Sequence, residues 1–456
     1  MPTEGFDFLG RLRGIIEMFG PVGLFLIIIA ALVIAVISLW RGVGPILFFL
    51  FISYSFSAVI QGGVVFLSTV VRWSCLILCL LGFFRMSSRP KSSMLLFVFY
   101  AFLGLLFVGR STVVLWSLQR AVLLILVALC VPIAINSYIT GPDKVRSLFK
   151  MGIVAATVWV GVSLLFLKDY IYTSELRFGG EVVGGVAWAG AFFSPMILWG
   201  IIQKREVFWR IYSIVLTIPF VFLLFIGGVR TAIFGMLIIA SLPILFSKIR
   251  PIKVVGTIFG VGALIAIVRY FLFALLPGKA ASLAGRVFST TTTGRVKLWA
   301  EGLRWCRSSA MFYGHGTGGA DISVMELGHG FHNAFLTIWY NTGFVGLLAV
   351  LLFLFIYTMR SFNQVRRYRT GEIGDYSRIA LGYMLGITAL CMFEDSISSS
   401  SAVAVFMLMV IVALIDRLSQ MGDQYFYDTC AEGDDPMAGD RYQPQEIDSA
   451  GTYALY

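Results

Sequence analysis

Charged residues are scarce in this sequence: Asp, Glu, Lys and Arg make up 13% of 456 residues, whereas 59% are hydrophobic. That balance excludes an ordinary soluble domain, in which about a quarter of the residues are charged. The apolar residues form unbroken runs and do not alternate with a period of two, which excludes a transmembrane β-barrel. The sequence therefore predicts an all-α fold, a polytopic transmembrane helical bundle.

Histidine and cysteine are also few, with three and six residues respectively. No cysteine spacing matches a zinc knuckle or a disulfide framework. The predicted external loops contain no Asp-x-Asp pair, so metal-assisted use of a nucleotide-sugar donor is not expected there. We predict no cofactor. Cys306 is the one cysteine in a large loop, and we expect its thiol to be accessible. The formal net charge of +11 does not indicate a nucleic-acid partner, because the basic residues lie in short loops between spans.

Thirteen apolar runs are candidate membrane spans by the length criterion of about 20 residues. They are 22–40, 44–60, 63–84, 94–109, 115–138, 148–167, 182–202, 210–227, 231–247, 252–276, 333–359, 378–394 and 397–415. Since the early runs are short, we expect 12–13 spans in one membrane domain, residues 1–416. Residues 417–456 are acidic and polar, and are predicted to form a disordered cytoplasmic tail.

Basic segments predict the sidedness of the bundle. Five short segments are rich in Arg and Lys: 84–93, 140–150, 203–210, 247–253 and 360–378. All five fall on one side when spans are counted alternately, and the positive-inside rule assigns that side to the cytoplasm. The largest loop, about 277–332, then lies outside and is expected to contain short helices.

Several unusual polar residues share this external side. They are Arg177, Arg230, Arg286, Arg295, His332 and Glu394. A single surface arginine carries no functional implication, but several arginines at one aqueous boundary favour an anionic ligand, since guanidinium groups bind phosphate oxygens in pairs. Arg230 sits at a tight break between spans and is either functional or snorkelling. Arg295 opens a helical pattern without an acid three or four residues away, so we expect it to be unpaired at a helix N-terminus.

The stretch "GHGFHNAFLTIWYNTGFVG" (328–346) leads from a polar loop into an apolar helix. We expect the helix to begin at His332, whose imidazole is either a base near neutral pH or an interfacial helix start. Gly343 and Gly346 fall on the same helical face and are expected to let a neighbouring helix approach closely. His315 and His329 are secondary candidates in glycine-rich loop sequence. A zinc site through His329 and His332 is less favoured, because no recognised ligand spacing is present.

These residues resemble the superfamily of O-antigen ligases and Wzy-type polysaccharide polymerases. The match consists of His332-Asn333, nine residues, then Gly343-x-x-Gly346. It is supported by "GRVKLWAEGL" leading to "YGHGTGG", by "GGVRTAIFGML", and by the acidic turn "MFEDSISSSS". The resemblance covers about 225–415, whereas the first 220 residues match only as generic spans.

The resemblance implies a membrane glycosyltransferase of the bacterial inner membrane with a periplasmic active site. Such enzymes transfer a glycan from undecaprenyl diphosphate to an acceptor hydroxyl, without a metal ion and with inversion. Arg230, Arg295 and Arg286 would bind the diphosphate, and His332 would be catalytic, with Arg177 and Glu394 as secondary candidates. We favour a polymerase of O-antigen or exopolysaccharide. The alternatives are a ligase acting on lipid A core or protein and, less favoured, a transporter. The partners would be the lipid-linked donor, an acceptor glycan, the bilayer, a flippase and a chain-length regulator.

Overall fold

The computed structural model describes most of the membrane bundle and part of the predicted large loop. The described residues are 32–33, 36–37, 42–57, 63–83, 92–111, 114–172, 183–203, 205–226, 230–245, 270, 295–317, 331–368, 371–394, 397 and 403–431. Within these ranges the regular structure consists of twelve α-helices and two short 3₁₀ helices, with no β-strand. The predicted all-α fold is confirmed.

The helices follow the apolar runs of the sequence. In chain order they are α1 (Val43–Ser57), α2 (Gly63–Phe83), α3 (Leu95–Leu106), α4 (Val114–Tyr138), α5 (Pro142–Tyr172), α6 (Val183–Ile202), α7 (Val207–Ile226), α8 (Arg230–Leu245), α9 (Arg295–Ser309), α10 (Ala334–Arg367), α11 (Gly371–Cys391) and α12 (Val403–Ala431). The 3₁₀ helices are Ser92–Met94 and Val108–Arg110. Apart from isolated residues, the predicted spans 22–40 and 252–276 lie outside the described ranges.

Five of the described helices contain a segment long and apolar enough to cross a membrane. These segments are Ser117–Tyr138, Pro142–Leu165, Val207–Leu224, Ala334–Arg367 and Val403–Gly422. A helix of about 20 residues spans roughly 30 Å, the thickness of the hydrocarbon layer. The fold is therefore that of a helical membrane bundle, and the exact number of spans stays a prediction.

Helix α12 lies at the centre of the bundle. Every side chain from Val403 to Asp416 is buried, and the helix packs against α4, α6, α10 and α11. A helix that is apolar on all faces is expected to be buried on all faces. The helix continues to Ala431, so the first part of the segment predicted as a disordered tail is helical.

Four of the five basic segments meet at one end of the bundle. Near the start of α5, Arg146 Nε lies 3.3 Å from Glu372 Oε2, and Arg205, between α6 and α7, pairs with Glu372 Oε1 at 3.0 Å. Arg360 Nη1 donates to Ser93 Oγ at 2.7 Å, which joins the first and last basic segments. The fifth segment lies outside the described residues. Described residues of these four segments therefore lie together, as the prediction of a shared side requires, and the assignment of that side to the cytoplasm stays a prediction.

Helix α10 is interrupted at Gly343, whose φ of 74° and ψ of 178° are not helical. A Cβ atom on this residue would lie 2.1 Å from the carbonyl oxygen of Phe312, so only glycine leaves room for that backbone. At Gly346 a Cβ atom would meet the Oγ1 atom of Thr342 at 2.0 Å, within the same helix. The prediction that these glycines admit a neighbouring helix is wrong: one admits a loop and the other a side chain.

The segment 311–317 replaces hydrogen bonds that α10 loses at the break. In a regular α-helix the amide of Phe344 would bond to the carbonyl of Tyr340. Here the Phe344 amide donates to the Met311 carbonyl at 3.0 Å, and the Tyr340 carbonyl accepts from the His315 amide at 3.0 Å. Buried backbone groups need such partners, so the segment is a packed part of the bundle and not a free glycine-rich loop.

Candidate functional site

Glu394 contacts side chains from three other parts of the chain. Its Oε1 atom accepts hydrogen bonds from Arg295 Nη2 at 2.8 Å and from Thr231 Oγ1 at 3.2 Å. Its Oε2 atom lies 3.2 Å from Nδ1 of His332. We refer to Thr231, Arg295, His332 and Glu394 as the Glu394 cluster. Three of the predicted site residues are thus brought together by one carboxylate.

The backbone of the turn after α11 holds the same elements. The carbonyl of Phe393 accepts from Arg295 Nη1 at 2.8 Å, and that of Met392 accepts from Asn333 Nδ2 at 3.1 Å. The first amide of α10 donates to the carbonyl of Glu394 at 3.1 Å. These bonds fix both the side chain and the main chain of the turn, so the cluster is built on a rigid support.

Three helices begin at the cluster. Thr231 is the second residue of α8, Arg295 is the first residue of α9, and His332 lies two residues before α10. A helix N-terminus carries a partial positive charge, even where, as in α10, its first amide is already hydrogen-bonded. Together with the guanidinium group, the three N-termini make this end of the bundle favourable for an anion.

Helix α10 starts at Ala334, and not at His332 as predicted. Asn333 is its N-cap and accepts a hydrogen bond from the amide of Leu336 at 3.1 Å, as Asn commonly does at this position. His332 has a left-handed backbone with φ of 48°. That conformation costs a residue other than glycine about 1–3 kcal/mol, and is tolerated where the surroundings enforce it, often at functional sites.

Exposure in the cluster is graded. The side chain of His332 is 43% exposed, that of Arg295 is 24% exposed and that of Glu394 is 14% exposed. The imidazole is thus the most exposed of these three side chains and the carboxylate is the least exposed. The prediction that Arg295 is unpaired is wrong, because its partner comes from a distant part of the chain. A guanidinium group has five N–H donors. The hydrogen bonds of Arg295 to Glu394 and Phe393 use one N–H on each terminal nitrogen, which leaves three for other partners.

The predicted helix in the large loop is confirmed as α9, and it is anchored by its apolar side chains. The Trp299 indole N–H donates to the Phe331 carbonyl at 3.1 Å, and its ring centroid lies 6.0 Å from that of Phe393. Cys306 is fully buried, with its thiol 3.6 Å from the Leu336 carbonyl. Burial raises the pKa of Cys306 to about 12, so the expectation of an accessible thiol is wrong.

Other predicted site residues have only partial descriptions or none. Arg230 is the first residue of α8 and directly precedes Thr231, so its backbone lies beside the cluster. The Arg230 side chain is not among the described groups. Arg177, Arg286 and His329 lie outside the described residues, and their predicted roles stay predictions.

His315 belongs to the helix break and not to the Glu394 cluster. Its ring stacks on Tyr340 with centroids 4.4 Å apart and planes at 11°. Within the described structure its Nδ1 atom is buried without a hydrogen-bond partner. Burial lowers the pKa of His315, and the nearby Arg110 charge lowers it further. The geometry is that of a neutral packing residue.

Two contributors to the site were not singled out from the sequence. Asn333 was noted only as part of the family motif, although Asn directly before an apolar helical run is a recognised N-cap signal. Thr231 gave no local signal, because its partner is 163 positions away. Among the described residues, no group of three His, Cys, Asp or Glu side chains is placed to hold a metal ion.

No protein-family model matches this chain, and no curated protein matches it. The functional assignment must therefore come from the chemistry of the Glu394 cluster and from the motifs in the sequence.

Proposed function

We propose that this protein is a membrane glycosyltransferase that moves a glycan from undecaprenyl diphosphate to an acceptor hydroxyl. The Glu394 cluster is the observation that carries the proposal. It combines a cation, a partly exposed imidazole and three helix N-termini at one end of the bundle. A lipid-diphosphate donor and a hydroxyl acceptor require an anion-binding site next to a base.

The diphosphate is the leaving group, and its developing negative charge needs stabilisation. Arg295 can donate to the diphosphate through the N–H groups that Glu394 and Phe393 do not use. Arg230, the first residue of α8, is proposed to bind the same diphosphate. A guanidinium group keeps its charge and binds two phosphate oxygens at once. Fixed cations of this kind stabilise a transition state without reorganisation, so the proposed reaction needs no metal ion.

The bond changes are those of a single displacement. The acceptor oxygen attacks the anomeric carbon while the bond from that carbon to the diphosphate oxygen breaks, which inverts the configuration. The hydroxyl proton passes to Nε2 of His332, and the electron pair leaves with the diphosphate held by the arginines. His332 suits this role because a neutral imidazole accepts protons near physiological pH.

The two ends of α11 support the proposed location. Glu372 near its start pairs with the basic segments, whereas Glu394 follows its last residue, at the other end of a helix of 21 residues. If the basic end is cytoplasmic by the positive-inside rule, the cluster faces the periplasm of a bacterial inner membrane. A flippase would supply the donor there, and a chain-length regulator would act on the product.

Within this chemistry we favour a polymerase, which joins one lipid-linked glycan to another. The resembled superfamily contains many O-antigen and exopolysaccharide polymerases. A ligase that transfers the glycan to lipid A core or protein uses the same groups and is the alternative. A transporter is less favoured, because substrate sites of transporters lie near the membrane midplane, whereas this cluster lies at the helix ends.

The proposal is tested by supplying purified protein in detergent with a lipid-diphosphate-linked glycan and excess EDTA. Formation of a longer lipid-linked glycan supports the polymerase, and transfer to lipid A core supports the ligase. Turnover that is lost in EDTA and restored by Mg²⁺ would overturn the metal-independent mechanism. In a deletion strain, single-repeat products indicate a lost polymerase, and long chains left on the carrier indicate a lost ligase.

A further inference from the structure

We infer that Glu394 is a positioning residue that holds His332 in the Nδ1–H tautomer and aims its Nε2 atom at the acceptor. The inference deepens the proposed function and rests on it for the role of the imidazole. It concerns how the base is prepared, and it assigns Glu394 a task beyond pairing with Arg295.

The tautomer follows from the contact between the carboxylate and the ring. Oε2 of Glu394 lies 3.2 Å from Nδ1 of His332. An ionised carboxylate can only accept hydrogen bonds, so Nδ1 must carry the proton for this contact to be favourable. In a neutral imidazole the lone pair is then on Nε2, which is the nitrogen able to take a proton from a hydroxyl.

The two carboxylate oxygens have separate partners. Oε1 accepts from Arg295 and Thr231, and Oε2 faces His332. Because both oxygens are engaged, rotation of the carboxylate would break contacts with α8, α9 or the histidine. The carboxylate is therefore held in the orientation that the imidazole needs.

The ring is also fixed from its own main chain. His332 has the left-handed φ of 48°, and the next residue, Asn333, bonds through its side chain to the Met392 carbonyl. The backbone position of His332 and the contact with the carboxylate thus both restrict where the imidazole lies. A catalytic base benefits from such support, since small displacements of reacting groups slow a reaction strongly.

Electrostatics give a second reason for a carboxylate at this position. Arg295 bonds to the same carboxylate as His332, and a nearby positive charge disfavours a positively charged imidazolium. Glu394 supplies a carboxylate that is 14% exposed, with Oε2 at 3.2 Å from Nδ1 of the ring. It offsets part of this repulsion while the outer side of the cluster stays available to an anion.

The test uses the small number of histidines in the chain, which is three. Protein with ring-¹⁵N-labelled histidine, purified in detergent, gives three sets of ring signals, and His332→Gln identifies the one of interest. At about pH 8, above the usual histidine pKa of about 6.5, we expect His332 to carry its proton on Nδ1. Glu394→Gln should reduce that tautomer and increase the Nε2–H form, and Glu394→Asp should largely restore it. Glu301→Gln, an equal charge change on α9, should leave the His332 signals unchanged.

Activity provides the second readout. Glu394→Gln should cut transfer about 10²- to 10⁴-fold, the usual effect of losing positioned proton transfer. Donor affinity should fall much less, because the amide oxygen of Gln can still accept the hydrogen bond from Arg295. If Glu394 is only structural, donor affinity and thermal stability fall together while the His332 tautomer stays the same, and the inference is overturned. An Nε2–H signal in the wild-type protein would also overturn it, and this result does not depend on any variant folding.

The ¹⁵N measurement needs no glycan, so the two proposals can fail separately. If the tautomer responds to Glu394 as expected but the wild-type protein transfers no glycan, the positioning of His332 stands and the proposed function fails. If glycan is transferred but the tautomer does not respond, the proposed function stands and the positioning role of Glu394 fails.

Discussion

The Arg295 guanidinium lies 2.8 Å from the Glu394 carboxylate, although 99 positions separate the two residues in the chain. This ion pair ties the first residue of α9 to the turn after α11. Because a second terminal nitrogen of the guanidinium bonds to the Phe393 carbonyl, the orientation of Arg295 is fixed before a ligand arrives. A pre-oriented cation stabilises a developing negative charge better than one that must first reorganise.

Arg295→Lys should weaken donor binding and slow transfer together. Lysine keeps the charge, but its single ammonium cannot bond Glu394, Phe393 and a diphosphate with the same fork. We expect a loss in donor affinity of roughly 10- to 100-fold, since a hydrogen bond to a charged group contributes 1.5–3 kcal/mol. Donor binding and transfer rate are the measurements, with Arg304→Lys on the exposed side of α9 as the matched control. Equal donor affinity in Arg295→Lys and the control would remove Arg295 from the binding site.

Gly343→Ala should destabilise the protein. The residue has a φ of 74°, and an added Cβ atom would lie 2.1 Å from the Phe312 carbonyl oxygen. Loss of a backbone conformation that only glycine adopts easily costs about 1–3 kcal/mol. Gly161→Ala is the control, because its Cβ atom would meet nothing within 4 Å. Thermal unfolding in detergent should show a lower midpoint for Gly343→Ala alone, and equal midpoints would contradict the packed helix break.

His315 should make the fold sensitive to mild acid. Burial lowers its pKa in the folded protein, so the unfolded chain binds a proton more readily. The stabilising effect of the neutral imidazole is complete above the unfolded pKa of about 6.5 and is lost as the pH falls through the lower folded value. Thermal unfolding of wild-type protein and His315→Gln across this pH range provides the measurement. The wild type should lose stability more steeply in acid than the variant. Parallel curves would show that protonation of His315 does not change the stability of the fold.

Sidedness can be measured with engineered cysteines. Cys306 is a poor probe because it is buried with a raised pKa, and Cys75, Cys79, Cys130 and Cys391 are buried as well. Ser308→Cys places an exposed thiol on α9, and Asp143→Cys places one at the basic end, where the wild-type side chain is 87% exposed.

Both variants also carry Cys430→Ser. A membrane-impermeant thiol reagent is applied to cells whose outer membrane has been made permeable and whose inner membrane is intact. Only Ser308→Cys should be labelled. Asp143→Cys should react after the inner membrane is opened. The opposite pattern would place the Glu394 cluster in the cytoplasm and exclude a periplasmic reaction.

The helical bundle could be predicted from the sequence because hydrophobic length is a local property. Each apolar run specifies its own helix, and α9 was visible from its helical spacing. The break at Gly343 could not be predicted in the same way. It depends on the backbone of segment 311–317 entering α10, and nothing in the local pattern of apolar residues distinguishes that glycine from one in a continuous helix.

The sequence indicates three residues of the candidate site, but not the hydrogen bonds between them. His332, Arg295 and Glu394 were each noted as unusual polar residues on one side of the membrane. Their pairing depends on how α8, α9, α10 and α11 pack at their ends, and distances of 62 and 99 positions along the chain leave no local signal. For this reason the sequence does not predict the partner of Arg295. It also gives no sign that Glu394, a secondary candidate, orients Arg295.

Substitution of His332 by alanine shows whether His332 is the base of a glycan transfer from a lipid diphosphate. Transfer rate and donor affinity should be measured on purified wild-type and variant protein, with thermal unfolding as the folding control. Turnover of His332→Ala should fall by about 10²- to 10⁴-fold, while donor affinity and stability should stay close to those of the wild type. Near-wild-type turnover in His332→Ala would contradict the account and leave His332 as a structural residue before α10.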